Sequence, residues 1–165
     1  MKYYNLVAEC KGYKSAHEFC TYFRENIPVL SNGKRIATEA NAIRRGDGVW
    51  IACVSFEGLV SFDTQFDNEE ELEYAQRNAF SATINPTFLE EAVSEIFSLL
   101  SIAPSYTAAA FGVDAIDAFS QMSIEEIVLQ NASFGYLFLI DSAWERLGEP
   151  QGFEAFSEGY YWNPN

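Results

Sequence analysis

The chain has 165 residues, about the length of one domain, and 48% of them are apolar, enough for a sizeable core rather than a disordered tail. Ten Lys and Arg stand against 24 Asp and Glu, a net charge of −14, which excludes a nucleic-acid or anionic-lipid surface over most of the molecule. No stretch approaches the roughly 18 apolar residues of a membrane helix, and Met1 to Cys10 lacks the layout of a secretory leader. The expectation is a cytoplasmic protein with no membrane partner, folded as one globular domain over residues 1–165.

Residues 3–10 fit either a short strand or a first helical turn, because periodicity does not separate the two over so few positions. Ser15 followed by Glu18 has the spacing of a capping box and predicts a helix to about Asn26, with Ala16, Phe19, Cys20, Phe23 and Ile27 inward and Pro28 as the stop. Residues 34–45 suit a short basic helix or a strand, closed by Gly46-Asp47-Gly48. The β-branched and aromatic runs 49–56 and 59–66, parted by Glu57-Gly58, predict a hairpin with its first strand covered on both faces and its second half exposed.

Asp67-Asn68 then caps an expected acidic helix to Phe80. Asn85-Pro86 opens a further helix, 86–101, in which Phe88, Leu89, Ala92, Val93, Ile96, Phe97 and Leu100 follow a 3.6-residue period. Pro104 to Ala110 is expected to be a connector. Two short helices follow, Gly112 to Met122 and Ser123 to about Gln130, the second with Ser123 and Glu126 at capping-box spacing. Residues 133–147 fit a buried strand at 136–140 or one continuous helical stripe, and the stripe favours helix. The tail after Gly152 carries five aromatic residues and is expected to dock on the body. These elements predict an α+β fold, a mostly helical single domain packed on a small antiparallel sheet containing the 49–66 hairpin.

Cys10, Cys20 and Cys53 form no C-x-x-C pair, and His17 is the only histidine. A Cys10, His17, Cys20 set is one ligand short of a zinc site. A His17–Cys20 base and thiol would need an orienting third group. Nucleotide, Walker, hydrolase-elbow and zinc-protease motifs are absent. The expectation is therefore no catalytic residue, no metal and no cofactor.

Charge is divided along the chain. Residues 1–46 hold eight basic and four acidic groups, a net of +4, whereas residues 47–165 hold two basic and twenty acidic groups, a net of −18. The densest run is Asp67, Glu69, Glu70, Glu71 and Glu73, directly after Asp63 on the expected solvent face of the hairpin. Such a field steers a cationic protein toward its site. Tyr160, Tyr161 and Trp162, beside carboxylates, have the chemistry of interface anchors.

This profile of a small, acidic, aromatic-rich chain without catalytic motifs resembles the immunity proteins of bacterial contact-dependent growth-inhibition toxins. The resemblance implies an inhibitor, not an enzyme, that binds a cognate toxin domain directly, often a basic nuclease, and occludes it. Asp63, Asp67, Glu69, Glu70, Glu71 and Glu73, with Tyr160, Tyr161 and Trp162, are the expected contact residues. Lys34, Arg35, Arg44 and Arg45 depart from a pure polyanion. The alternative is a small cytosolic enzyme or ligand-binding regulatory domain, its pocket between the sheet and helix 86–101 and His17 or Cys20 at the rim.

Overall fold

The computed structural model describes residues 2–61, 86–130 and 135–164. Within them lie seven strands and five helices: β1 (Lys2–Cys10), α1 (Tyr13–Glu25), β2 (Thr38–Arg44), β3 (Trp50–Ser61), α2 (Pro86–Ser101), β4 (Ala108–Val113), α3 (Ala115–Gln121), α4 (Ile124–Leu129), β5 (Tyr136–Ile140), α5 (Asp141–Arg146), β6 (Glu154–Ser157) and β7 (Tyr160–Asn163). The strands make one sheet in the order β2-β3-β1-β4-β5-β7-β6, each pair of neighbours antiparallel. The expected fold class is thereby corrected. The chain is not mostly helical, and its sheet is the central layer rather than a small appendage.

Helices cover both faces of that sheet. On one face α1 and α2 pack Phe19, Phe23, Ile96 and Leu100 against Leu6, Val54, Phe111 and Phe138. On the other, α3, α4 and α5 bring Phe119, Ile124, Ile127 and Ala143 onto Val7, Ile51, Ala110, Leu137 and Leu139. A strand covered on both sides has no polar face to alternate, so β1, β3 and β4 read as nearly continuous apolar runs. Phe19, Phe23, Phe111 and Phe119 are fully buried, each contributing about 2 to 3 kcal/mol of transfer free energy.

Several local expectations change for physical reasons. The Glu57-Gly58 turn is not a turn, because β3 runs through it. Ser55 pairs with Asn5 and Val60 with Tyr3, so residues 56–59 stand opposite Tyr4 alone, and Gly58, at φ +80°, supplies the left-handed geometry such a bulge requires. The hairpin that does form joins β2 to β3. Arg45 N–H donates to Val49 O, Gly48 N–H donates to Arg45 O, and Gly48 sits at φ +89°, the three-residue loop with a glycine at its left-handed position.

The 104–110 connector is also corrected, since Ala108, Ala109 and Ala110 enter β4 and are buried. Alanine favours helix intrinsically, but here both faces are covered and small side chains let helices approach closely, so tertiary packing overrides propensity. The 133–147 helix divides into β5 and α5, with Leu137, Phe138 and Leu139 buried. α1 begins at Tyr13 with Gly12 as its cap and no side-chain capping bond. Glu18 faces Lys14 one turn back, 3.8 Å away, instead of Ser15.

Where the sequence left helix and strand open, residues 3–10 lie in the strand β1 and 38–44 form the strand β2, and the expected helix 86–101 is α2. Ser123 Oγ accepts from Glu126 N–H while Ser123 N–H donates to Glu126 Oε2, a complete capping box. The tail docks as β6 and β7, with Trp162 opposite Phe138. The expected acidic helix at 67–80 lies outside the described residues. No described helix is long and apolar enough to cross a membrane.

Candidate functional site

The sheet gathers one aromatic ring from each of four adjacent strands onto the α2 face. Pleating sends alternate residues to opposite sides, so Tyr4 of β1, Phe111 of β4, Tyr136 of β5 and Trp162 of β7 form a row across the strands. Neighbouring ring centroids are 5.8 Å apart for Tyr4 and Phe111, 6.4 Å for Phe111 and Tyr136, and 6.0 Å for Tyr136 and Trp162. Phe97 of α2 stands edge-on to the last three at 5.5, 4.9 and 5.8 Å. Offset and edge-to-face contacts of this kind add about 0.5 to 1.5 kcal/mol per pair beyond area burial.

Over this row lies a cavity of about 650 Å³ between the sheet and α2, walled also by Leu89, Val93, Phe156 and Pro164. Helical spacing puts Leu89, Val93 and Phe97 in one row and Glu90, Ser94 and Ser98 in the next, with Ser101 completing the polar side of the wall. Glu90 is the one charged residue in this wall among the described residues. Its exposed carboxylate has no hydrogen bond or ion pair among those residues.

The expected contact residues fare unequally. Asp63, Asp67, Glu69, Glu70, Glu71 and Glu73 all lie outside the described residues. Tyr160, Tyr161 and Trp162 form β7 but do not make one patch. Tyr160 stacks on Tyr106 at 4.4 Å, and its hydroxyl donates to Tyr106 O and accepts from Tyr106 N–H. Tyr161 turns to the opposite face and stacks on Trp144 at 4.1 Å, while Trp162 enters the cavity wall.

The carboxylates that the structure does place are concentrated at one end of the sheet. Across residues 136–164, which carry β5, α5, β6 and β7, five carboxylates are exposed, Asp141, Glu145, Glu149, Glu154 and Glu158, while Asp117 and Glu126 are exposed on α3 and α4. The only basic residue in that stretch, Arg146, is bridged to Glu125. Over residues 2–61, which carry β1, α1, β2 and β3, seven exposed basic residues meet five exposed acidic ones. The sequence split has become a spatial one.

No family model, no curated protein and no solved structure matches this chain.

The residues around His17 do not form a reactive centre. His17 is exposed and stacks on Tyr13 at 5.8 Å, whereas Cys20, one turn on, is buried. All three cysteines are buried and unbonded to one another. Burial is the largest influence on each thiol. It pushes Cys10 and Cys53 up to about 12, with the neighbouring Cys20 adding to the effect. Cys20 is raised as well, despite the opposing pull of Arg24 and of a hydrogen bond from the Cys53 backbone. Thiols so held are neutral and poor nucleophiles. A pocket does lie between the sheet and helix 86–101, but neither His17 nor Cys20 is in its wall.

Of the basic cluster, Arg45 is internal. Its side chain is 4% exposed. Nη1 donates to Glu9 Oε1 at 2.8 Å and to the carbonyls of Phe119 and Met122, and Nε and Nη2 bind Asp47. Glu9 Oε1 also accepts from Ile124 N–H at 3.0 Å. This arginine ties the β2–β3 loop, through β1, to the α3–α4 junction. At the β2 edge, Arg24 donates to Ala40 O, which occupies a carbonyl that an added strand would otherwise seek.

Sequence reasoning named Trp162 but missed Tyr4, Glu90, Phe111 and Tyr136 as parts of one site. Once 136–140 and 160–163 are read as strands, the alternations Tyr136/Phe138 and Tyr160/Trp162 are the signal that places their rings together.

Proposed function

We propose that this chain is an immunity-type inhibitor that binds and occludes a cationic toxin domain in the cytoplasm. Its docking face is the carboxylate-rich end of the sheet formed by β5, β7, β6 and α5. The observation that carries this reading is the charge layout, with five exposed carboxylates over residues 141–158 against a single, already bridged arginine. Carboxylates without internal partners cost stability through mutual repulsion and speed the encounter with a cationic protein.

The test is to express the reading frame immediately upstream alone and together with this chain, count viable cells and recover the complex. Toxicity relieved by a recovered complex supports the reading. A harmless neighbour, or rescue without a complex, overturns it. In the supporting case, reversing Asp141, Glu145 and Glu154 to Lys is expected to lower the association rate at least about tenfold at low salt. The same reversal of Lys34, Arg35 and Arg44 to Glu leaves that rate within about twofold.

A second reading, a ligand-binding regulatory domain, is favoured by one observation, the 650 Å³ aromatic cavity under α2. Small-molecule sites occupy about 300–1,000 Å³ and are lined by apolar and aromatic groups with a few polar ones. Saturation of the cavity by a small molecule, followed in ligand-observed spectra, is its test.

A further inference from the structure

We propose that the cavity under α2 is a binding site for a small organic cation, an alkyl- or arylammonium compound with an apolar body. This rests on the second reading above and names its ligand class. The faces of aromatic rings carry negative potential, so a desolvated ammonium is attracted to them, most strongly to indole and phenol rings. Here Tyr4, Tyr136 and Trp162 supply such rings, with Phe111 and Phe97 beside them.

The electrostatics point the same way. Glu90 is the only charged residue in the wall among the described residues, and no described group pairs with its carboxylate. An anion would meet that charge, the ring faces and a chain of net charge −14. A neutral hydrocarbon would fill the space without using Glu90. A cation uses both features: its head group lies between the Glu90 carboxylate and the rings, and its body packs on Leu89, Val93 and Phe156. The volume admits a drug-sized molecule, more than one inserted side chain would fill. The seryl hydroxyls of Ser94 and Ser98 lie on the same wall as Glu90 and offer hydrogen bonds to a polar substituent.

The probe is benzyltrimethylammonium, compared with benzyldimethylcarbinol, a neutral molecule of nearly the same shape, each titrated into the full chain by ligand-observed NMR. Binding among the rings moves the trimethyl resonance upfield by ring currents. The expected result is saturable binding of the cation, at least about fivefold tighter than that of the carbinol. Glu90→Gln should weaken the cation about fivefold and leave the carbinol unchanged, with folding verified by circular dichroism. Glu95→Gln, on the same helix but outside the wall, removes the same charge and should alter neither.

Equal affinity for the two probes overturns the cation assignment and leaves the ligand-binding reading standing. Equal weakening by Glu90→Gln and Glu95→Gln overturns it too, since the attraction is then the general field of the protein. Failure of both probes to bind overturns the assignment and the second reading together.

Discussion

The two ends of the sheet use charge differently. At the β2–β3 end, cations and anions nearly balance, and the least exposed cation, Arg45, is locked to Glu9, Asp47 and two carbonyls. At the β5–β7–β6 end, carboxylates outnumber their possible partners and stand in solvent. Charge thus serves the fold at one end and is left available to an incoming cation at the other. The buried pair does not by itself make the fold more stable than an apolar substitute would, but it sets where the hairpin sits against α3 and α4.

The largest break in that comparison is Arg45→Met. It leaves Glu9 with only the Ile124 N–H among its observed partners and frees two carbonyls, so a loss of about 3 to 5 kcal/mol is expected in urea denaturation. At the other end the matching stress is steric. Gly135 sits at φ +39°, and an added Cβ would lie 2.3 Å from Phe111 O. Gly135→Ala is expected to cost about 3 kcal/mol, because backbone, not a movable side chain, must give way.

A smaller effect sharpens the roles of individual carboxylates in the acidic half. Ser123→Ala removes the cap of α4 and should cost about 1 kcal/mol, marking Glu126 as partly structural, unlike Glu145 and Glu154. The smallest effect is on pH dependence. Hydrogen bonds from Arg45 and then from the Val49 backbone hold the Asp47 carboxyl below its ordinary value. Because the folded value is the lower one, the stabilisation is present above the ordinary carboxylate range and is lost as pH falls through the depressed value. Asp47→Asn should therefore flatten the acid-side fall in the urea midpoint, measured from neutral pH down to about pH 3.

Legibility in the sequence followed the type of signal. α2 was readable because seven apolar residues keep a helical period over its length, and the Ser123 box was readable because capping is a local hydrogen-bond pattern. The same box at Ser15 and Glu18 failed because the helix gained another turn at its start and Glu18 found Lys14. Glu57-Gly58 has the look of a hairpin turn, yet a left-handed glycine serves a bulge as well as a reversal, and only pairing with β1 selects the bulge. Three consecutive alanines have no strand propensity, and β4 is a strand because β1 and β5 bond to its two edges.

The sequence by itself determined the charge asymmetry, the stock of apolar and aromatic side chains, the absence of known catalytic motifs and the helix under which the cavity lies. Those are properties of composition and short-range order. Tertiary structure decided that the sheet has seven strands, that Arg45 is internal, that Tyr161 faces away from Tyr160 and Trp162, and that Tyr4, Phe111, Tyr136 and Trp162 line one site. The reason is that strand pairing is non-local. Tyr4 and Phe111, 107 residues apart in the chain, become close neighbours across adjacent strands, and no local pattern records which strand will lie beside which.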